Sequence, residues 1–246
     1  MARAALQRGV GPAWRTARLV EAHAETGAAR TLRFDVPDWP GHLPGQHVDL
    51  RLTAQDGYVA RRSYSLSAPA DGSAVELTVQ LVDDGEVSPY LVRDLEPGDE
   101  VELLGPLGGW FVWRPDQPEP VLLVGGGSGV APLVAMRRSW VRAGAATPMR
   151  LLYSVRSPAQ VYFAPELLGA PDGSVVLLYT RDAPPDDPRG AHRIDARDVA
   201  AHAWPADRQP TCYVCGPTSF VESTISLLLA AGHDPARIRA ERFGGG

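Results

Sequence analysis

A glycine-rich turn is the first feature of this sequence that could bind a ligand. The apolar residues 122–124 run into Gly125-Gly126-Gly127-Ser128-Gly129 and then into a segment with helical character. Glycines allow a backbone to approach a diphosphate closely, and the free amides at a helix start attract its charge. Pro132 suits a first helical turn, but it stands where the dinucleotide fingerprint G-x-G-x-x-G has its third glycine. The turn predicts a phosphate-binding site, with a purely structural strand-to-helix turn as the alternative.

Three arginines follow the predicted strands and loops of the same region. Arg156 and Arg181 each follow an apolar strand, and Arg193 precedes a predicted helix. No acidic residue ends the strand after the glycine turn, where NAD-dependent enzymes hold the ribose hydroxyls. Because the carboxyl ends of parallel strands meet at one edge of a sheet, the arginines could bind a 2′-phosphate there. Ordinary solvated strand ends are the alternative.

The two cysteines, Cys212 and Cys215, limit the redox chemistry that the chain itself can carry. Two thiols are too few for a four-cysteine iron–sulfur cluster or an all-thiolate zinc site. Their spacing is that of a redox pair, but residues three apart on a strand point to opposite faces, which disfavours a disulfide. The six histidines show no ligand spacing, so we expect no metal site.

The first half of the chain has the pattern of short strands. Frequent turn residues separate apolar or alternating stretches, which favours an antiparallel barrel or sandwich. The predicted strands cover residues 14–24, 29–36, 46–53, 59–67, 74–82 and 100–104, with a short helix at 88–94.

The second half has a different pattern, beyond a linker at residues 114–120 that contains three prolines. Continuous apolar strands alternate with helices, which is typical of a parallel α/β sheet. The predicted strands are 121–124, 149–155, 175–179 and 212–214, and the helices are 131–143, 196–203 and 219–231. Ser219 and Glu222 predict a capping box at the start of the last helix. We therefore divide the chain into domains at residues 1–116 and 117–246.

The composition excludes several classes of protein. The chain has 246 residues and a net charge of -5, and all 24 of its basic residues are arginine. This acidic balance argues against a nucleic-acid partner, and no apolar run reaches the roughly 18 residues of a membrane span. We therefore expect a soluble cytoplasmic protein without nucleic-acid or membrane partners.

Six motifs occur in a fixed order along nearly the whole chain. They are Arg62-Ser63-Tyr64-Ser65, Gly85-Glu86-Val87-Ser88, Gly105-Pro106-Leu107-Gly108, Gly127-Ser128-Gly129-Val130-Ala131-Pro132, Cys215-Gly216-Pro217 and Glu241-Arg242-Phe243. In this order and spacing they resemble the ferredoxin–NADP⁺ reductase superfamily. The resemblance implies two domains, an antiparallel six-stranded β-barrel that binds FAD and an α/β Rossmann-like parallel sheet that binds NADP.

The resemblance also implies roles for residues at the flavin ring. Arg62 would bind the flavin diphosphate, which suits the fork of a guanidinium group. Tyr64 would lie against the isoalloxazine ring or the ribityl chain, and Ser65 would hydrogen-bond near flavin N5. Phe243 would cover the other face of the ring, with a simple end to the last strand as the alternative.

A second flavin motif and an adenine site follow from the same resemblance. Gly85, Val87 and Ser88 would hold phosphate through backbone amides and a hydroxyl group. Trp110 and Trp113 are candidates for stacking on the adenine, but packing in the barrel core is the interpretation that we favour for both.

On the nucleotide side, the resemblance implies a set of NADP-binding residues. These are Gly127, Ser128, Gly129, Pro132, Arg156, Arg181, Arg193, Gly216 and Pro217. Cys215 would orient the nicotinamide near C4 without acting as a nucleophile, and Ser65, Cys215 and Glu241 would surround the site of hydride transfer. A surface salt bridge is the alternative role for Glu241.

The implied activity is that of an FAD-dependent NAD(P)H oxidoreductase. A hydride would pass from NADPH to FAD, and electrons would then pass to a separate carrier such as ferredoxin, flavodoxin or a partner redox enzyme. One alternative is a flavin or quinone-type reductase with a diffusible acceptor. Another is an electron-transfer flavoprotein subunit of a larger complex.

Overall fold

Six antiparallel strands form the first half of the computed structural model, which describes residues 13–170 and 173–244. Their order across the sheet is β4-β3-β6-β1-β2-β5. The strands are β1 (Ala13–Thr26), β2 (Ala29–Asp35), β3 (His47–Thr53), β4 (Val59–Ser65), β5 (Ala74–Gln80) and β6 (Glu100–Leu107). The predicted strands are confirmed, and no end differs by more than three residues.

The two edge strands meet and close this sheet into a barrel. Just beyond β4, Leu66 pairs with Leu77 of β5. The Ser67 amide donates to the Glu76 carbonyl at 2.9 Å. Leu32 and Leu50 are fully buried in the interior. Closure removes free edges, so the chain has the predicted antiparallel barrel.

A five-stranded parallel sheet forms the second half, in the order β11-β10-β7-β8-β9. Its strands are β7 (Val121–Gly126), β8 (Met149–Val155), β9 (Val175–Tyr179), β10 (Thr211–Pro217) and β11 (Ile238–Phe243). The helices are α1 (Val130–Ala143), α2 (Ala164–Leu168), α3 (Ala196–His202) and α4 (Thr218–Ala230). Among the described residues, no helix is both long and apolar enough to cross a membrane. The predicted α/β half is confirmed.

The structure corrects the predicted start of α4 and adds two elements. The N-cap of α4 is Pro217 and no side chain caps it, so the predicted capping box at Ser219 and Glu222 is wrong. Strand β10 runs directly into the helix, which places Ser219 inside the first turn. Strand β11 and the short helix α2 were not predicted from the sequence. The strand character of β11 comes from its pairing with β10 rather than from its own composition.

Hydrogen bonds between the two halves fix how they pack. The Arg138 guanidinium on α1 donates to the Glu76 carboxylate at 2.7 Å and to the Ser67 carbonyl at 3.0 Å. At the end of β1, the Glu25 carboxylate accepts a hydrogen bond from the Phe163 amide at 2.6 Å. Hydrogen bonds to charged groups are stronger than neutral ones, so these contacts hold the barrel against the parallel sheet.

Candidate active site

The glycine turn joins β7 to α1, and its glycines serve different purposes. A Cβ on Gly126 would lie 2.6 Å from the Phe220 ring, and one on Gly129 would overlap the Cys215 carbonyl. These two glycines are required by packing against the protein itself. Gly127 has φ of +56° and has no neighbouring atom within 4 Å of its would-be Cβ. Only at Gly127 does the glycine leave open space in which a ligand could approach the backbone.

A cavity of about 340 Å³ opens at this turn and spans the two halves. It brings together seven of the residues implied for the cofactors: Gly127, Ser128, Arg156, Arg181, Arg193, Pro217 and Phe243. Thr26, Ala28 and Gln80 contribute to the wall from the barrel. The cavity does not include Gly129, Pro132 or Gly216 among its lining residues, and it does not include Ser65, Cys215 or Glu241.

We call Arg156, Arg181 and Arg193 the nucleotide arginines. All three are exposed, and each lines the cavity. Within residues 13–170 and 173–244, none of their guanidinium groups forms an ion pair or a hydrogen bond. Three unpaired guanidinium groups around one cavity are suited to a phosphate, which they can bind with charge-assisted hydrogen bonds.

The sequence did not identify several polar residues of the same cavity. Ser154 on β8 and Thr180 just after β9 lie at the carboxyl edge of the sheet, and Ser219 and Ser223 contribute from α4. The rule that ligands bind at the carboxyl ends of parallel strands could have identified Ser154 and Thr180. The α4 residues could not be placed in the same way because their position depends on where that helix begins.

Arg189 organises the loop that carries Arg181 and Arg193. Its guanidinium donates to both Asp198 carboxylate oxygens at 2.6 and 2.8 Å. It also donates to the Tyr179 and His192 carbonyls, each at 2.9 Å. Burial acts to raise the pKa of Asp198, but the hydrogen bonds from Arg189 and from a backbone amide lower it overall. No pattern in the sequence distinguishes this largely buried arginine from the exposed ones.

One group of side chains has the composition of a metal site. The ligand atoms of His192, Asp195 and Asp198 lie within 4.8 Å of one another. Both oxygens of Asp198 already accept hydrogen bonds from Arg189, however. Asp195 caps α3 by accepting from the amides of Arg197 and Asp198. These carboxylates therefore have structural partners, and we assign no metal to them.

On the barrel, β4 carries the first flavin motif. Arg62 is half-exposed, and its guanidinium donates to the Glu86 carboxylate at 2.6 Å. Tyr64 packs against the barrel core, and burial raises its pKa to about 12. Ser65 lies opposite His47 of β3. The structure thus places all three residues in sequence along one strand, with the arginine already paired to a carboxylate.

The second flavin motif lies beside the first. Val87 is fully buried in the barrel core. The Ser88 hydroxyl accepts a hydrogen bond from the Val82 amide at 3.0 Å. A Cβ on Gly85 would lie 3.0 Å from the Val82 carbonyl oxygen and 3.1 Å from the Ser88 hydroxyl. In this structure, Val87 and Ser88 therefore hold the loop together, and Gly85 allows its close packing.

The two tryptophans considered for the adenine do not lie in the barrel core. Trp113 is fully buried, but it packs with Phe111 in a core beside the parallel sheet. Trp110 is 63% exposed, and the Arg239 guanidinium lies over its ring at 5.1 Å from the centroid. The expectation that barrel packing explains them is therefore wrong for both.

The two cysteines are free and lie on opposite faces of the parallel sheet. Cys212 belongs to the core on the α4 side, and Cys215 belongs to the core on the other side. Burial raises the pKa of Cys212 to about 12 and that of Cys215 well above its ordinary value. Both residues are therefore thiols at neutral pH, which excludes a thiolate nucleophile.

Glu241 and Phe243 lie at the end of β11, next to the end of β10. Glu241 is in register with Cys215, and Phe243 with Pro217. Burial raises the pKa of Glu241 to about 7, so this carboxyl group can gain or lose a proton near neutral pH. Phe243 ends β11 and also lines the cavity at the glycine turn, with 36% of its surface exposed.

Two family matches cover most of the chain. Residues 16–112 match an oxidoreductase FAD-binding domain. Residues 123–225 match an oxidoreductase NAD-binding domain. The chain therefore carries one domain of each kind, in the order that the motifs implied.

Named relatives include reductases of several systems. Ferredoxin--NADP reductase B of Sorangium cellulosum is 37% identical over 166 residues, which cover 66% of this chain and 67% of that protein. The reductase subunit of an aromatic O-demethylase from Amycolatopsis sp. is 34% identical over 227 residues, 88% of this chain. Those residues cover 63% of the Amycolatopsis protein, so the chain spans less than two thirds of it.

Solved structures show the same two-domain arrangement. The FAD/NAD-binding domain of nitric oxide dioxygenase from Vibrio cholerae is 26% identical, with a TM-score of 0.81 over 94% of this chain and 99% of that one. The Amycolatopsis cytochrome P450 reductase is 28% identical, with a TM-score of 0.80 over 94% of this chain and 70% of that one. Both likenesses extend over barrel and parallel sheet together.

Proposed function

This chain belongs to the ferredoxin reductase-like family, and from that premise we propose that it is an FAD-dependent oxidoreductase that takes a hydride from NADPH. The observation that carries the proposal is the cavity in which the three nucleotide arginines, none of them paired with a described residue, surround the glycine turn. We propose residues 1–116 as the FAD-binding domain and residues 117–246 as the NADP-binding domain.

The residues of the barrel fit the parts of FAD. Arg62 offers a half-exposed guanidinium for a diphosphate, because its ion pair with Glu86 is exposed and therefore weak. Tyr64, two residues along β4, offers an aromatic face for a ring system. Ser65 follows at the end of the strand with a hydroxyl group that can donate to a ring nitrogen. Together they would hold the ring and the diphosphate along one strand.

The cavity residues fit the parts of NADPH. Gly127 and Ser128 would hold the diphosphate, since the space beside Gly127 is open. The nucleotide arginines would bind the 2′-phosphate, which NADH lacks. Gly129, Pro132 and Gly216 would act indirectly, through the packing that shapes the turn. The cavity thus favours a dinucleotide with an additional phosphate.

The chain's own residues would orient the nicotinamide and the flavin and would hold a proton. When bound, FAD accepts the hydride at N5 and can release the electrons singly. Cys215, as a buried thiol, would pack against the nicotinamide and keep water away. Glu241 would hold a proton near neutral pH because burial raises the pKa of its carboxyl group to about 7. Phe243 would cover the junction between flavin and nucleotide.

We propose that the electrons pass to a separate protein, such as a ferredoxin, a flavodoxin or an oxygenase. These 246 residues contain two cysteines and cannot build a four-cysteine cluster of their own. Relatives described as reductase subunits support the same proposal. We assign the protein to the cytoplasm, since its two free thiols suit a reducing compartment.

Anaerobic reduction tests the reductase proposal. The purified chain reconstituted with FAD is expected to be yellow and to lose its colour when NADPH is added without oxygen. A chain that binds FAD but stays yellow with both NADPH and NADH contradicts the proposal.

A nucleotide comparison tests the role of the arginines. In Arg181→Ala, kcat/KM for NADPH is expected to fall about 10- to 100-fold, the effect of losing a charge-assisted hydrogen bond. The value for NADH is expected to change less than about threefold. Arg197→Ala is the matched control, because Arg197 is an exposed arginine on α3 outside the cavity. Equal losses with both nucleotides would show that Arg181 does not bind the 2′-phosphate.

A further inference from the structure

A buried carboxylate of the barrel lies just behind the wall of the cavity at the glycine turn. Glu25, near the end of β1, has a side chain that is only 6% exposed. It accepts a hydrogen bond from the Phe163 amide of the other half at 2.6 Å. Neither residue lines the cavity, but their neighbours Thr26 and Tyr162 do. This hydrogen bond therefore joins the two halves directly behind a lining residue of each.

The barrel holds the Glu25 carboxylate in place from its own side. The oxygen that does not bind Phe163 accepts a hydrogen bond from the Thr31 hydroxyl on β2 at 2.8 Å and lies 3.0 Å from His23 Nε2. Thr31 is itself buried. Because both oxygens of the buried carboxylate have partners, its position relative to β1 and β2 is fixed.

On the other half, Phe163 has a backbone conformation that needs support. Its φ is +54°, in the left-handed region that bulky residues rarely adopt. It directly precedes α2, and its carbonyl accepts hydrogen bonds from the Glu166 and Leu167 amides at 3.0 and 2.9 Å. Such a conformation persists only where the surroundings hold it. The hydrogen bond from its amide to a carboxylate is one of the strong kind that can do so.

The contact of Glu25 differs from the contacts of Arg138, which also join the two halves. Arg138 donates to Glu76 and to the Ser67 carbonyl, and none of these three residues lines the cavity. The bond from Phe163 to Glu25 instead adjoins Tyr162, which is 5% exposed and forms part of the cavity wall. A shift of Phe163 relative to β1 would therefore move one wall of the cavity against the other.

From this placement, we propose that Glu25 is a positioning residue for hydride transfer, which acts through the Phe163 amide. The inference rests on the proposed function, because it takes NADPH to bind in this cavity and FAD to bind on the barrel. A nicotinamide held by one half must then meet a flavin held by the other. A misplacement of about 1 Å can slow a reaction about 100-fold, so a contact that fixes the two walls affects the rate of transfer.

The rate of flavin reduction distinguishes positioning from stability. The FAD-loaded chain is mixed with saturating NADPH without oxygen, and the rate is read from the loss of yellow colour in a stopped-flow instrument. Glu25→Ala is expected to be reduced about tenfold more slowly than the wild type, and by the same factor with NADH, since the contact does not involve the 2′-phosphate. Its Kd for adenosine 2′,5′-bisphosphate should stay within about twofold, because this compound lacks the nicotinamide half.

Two further variants serve as controls. Glu25→Gln keeps an oxygen that can accept from the Phe163 amide, so its rate is expected to stay within about threefold of the wild type. Glu21→Ala removes an exposed glutamate of the same strand and is expected to leave the rate unchanged.

A merely structural role for Glu25 would lower the melting temperature of Glu25→Ala and leave its rate of flavin reduction unchanged. That result overturns the positioning role while the proposed function stands. A Glu25→Gln variant as slow as Glu25→Ala, or a loss of rate with NADPH alone, also overturns it. A wild-type chain whose flavin is reduced by neither nucleotide overturns the proposed function and this inference together.

Discussion

The two regions that we propose to bind phosphate groups hold their arginines in opposite ways. On the barrel, the guanidinium of Arg62 is paired with Glu86 at 2.6 Å. At the carboxyl edge of the parallel sheet, the nucleotide arginines have no partner among the residues that the structure describes, although they line one cavity. Both regions would bind phosphate groups, but only the barrel supplies a carboxylate that must give up its arginine first.

The two regions differ in the burial of their ion pairs and in which arginines those pairs involve. The Arg62–Glu86 pair is exposed on both sides, so solvent screens it and a diphosphate can replace the carboxylate. On the loop after β9, which carries Arg181 and Arg193, the Asp198 carboxylate is instead paired with the largely buried Arg189. The loop therefore leaves its exposed arginines free for a ligand.

The largest effect is expected for the barrel arginine. Arg62→Ala should raise Kd for FAD about 100-fold, because the diphosphate loses its charge-assisted hydrogen bonds. Fluorescence titration of the flavin-free chain with FAD measures this Kd. Arg18→Ala is the control, since Arg18 is also an exposed arginine paired with a glutamate, Glu100. If both variants bind FAD alike, Arg62 does not contact the diphosphate.

A pH experiment tests the buried carboxyl group of Glu241 on β11. The pKa of Glu241 is about 7 in the folded chain, above its ordinary 4.5. Between these pH values the folded chain binds more protons than the unfolded chain, so the free energy of unfolding falls as pH rises through this window. In Glu241→Gln, the fall in the free energy of unfolding should be about 2 kcal/mol smaller than in the wild type. Urea unfolding at about pH 5 and about pH 8 measures the difference.

One outcome of the same pH experiment would contradict the role of Glu241. If wild type and Glu241→Gln lose equal stability between the two pH values, another group accounts for the pH dependence. Glu222→Gln is a suitable control, because Glu222 is an exposed glutamate paired with Arg242.

The loop anchor should have a smaller effect on nucleotide choice. Arg189→Leu removes the hydrogen bonds to Asp198 and to the Tyr179 and His192 carbonyls. The ratio of kcat/KM for NADPH to that for NADH should fall about tenfold, since Arg181 and Arg193 lose their fixed positions. Arg197→Leu, on the surface of α3, should leave the ratio unchanged. An unchanged ratio in Arg189→Leu would mean that the loop holds its shape without this anchor.

The smallest effect is expected for Glu86, the carboxylate that is paired with Arg62. Hydrogen bonds from Tyr58 and Arg62 lower the pKa of Glu86, so it is ionised at neutral pH. Glu86→Gln removes a negative charge beside the proposed diphosphate and should lower Kd for FAD about threefold. Glu222→Gln, which changes an exposed glutamate paired with Arg242 on the other half of the chain, is the control. Weaker FAD binding in Glu86→Gln would show that the carboxylate assists the flavin rather than competing with it.

Sequence patterns predicted the fold well where the local signal and the tertiary structure agree. The barrel strands are short apolar or alternating stretches bounded by turn residues, and the parallel strands are continuously apolar. Both sheets could therefore be predicted. Strand β11 escaped because its residues Ile238–Phe243 include two arginines and a glutamate, and pairing with β10 alone makes them a strand. The start of α4 was misplaced because a strand end at Pro217 determines it rather than a side-chain cap.

The candidate site could be predicted only in part, for a related reason. Arg156 and Arg181 follow strands, and strand ends share an edge, so sequence order was enough to bring them together. Burial alone distinguishes Arg189 from these arginines, and it is not visible in the sequence. Glu86 accepts hydrogen bonds from both Tyr58 and Arg62. It lies 24 or more positions from each of them, and the closed barrel brings the three residues into contact.

Calorimetric binding of two adenosine phosphates tests most directly the claim that the free arginines bind a 2′-phosphate. Adenosine 2′,5′-bisphosphate and adenosine 5′-monophosphate differ only in that phosphate. The wild-type chain should bind the bisphosphate at least about tenfold more tightly, and the Arg181→Ala/Arg193→Ala double variant should lose this difference. Equal Kd values for the two compounds in the wild type would contradict the account.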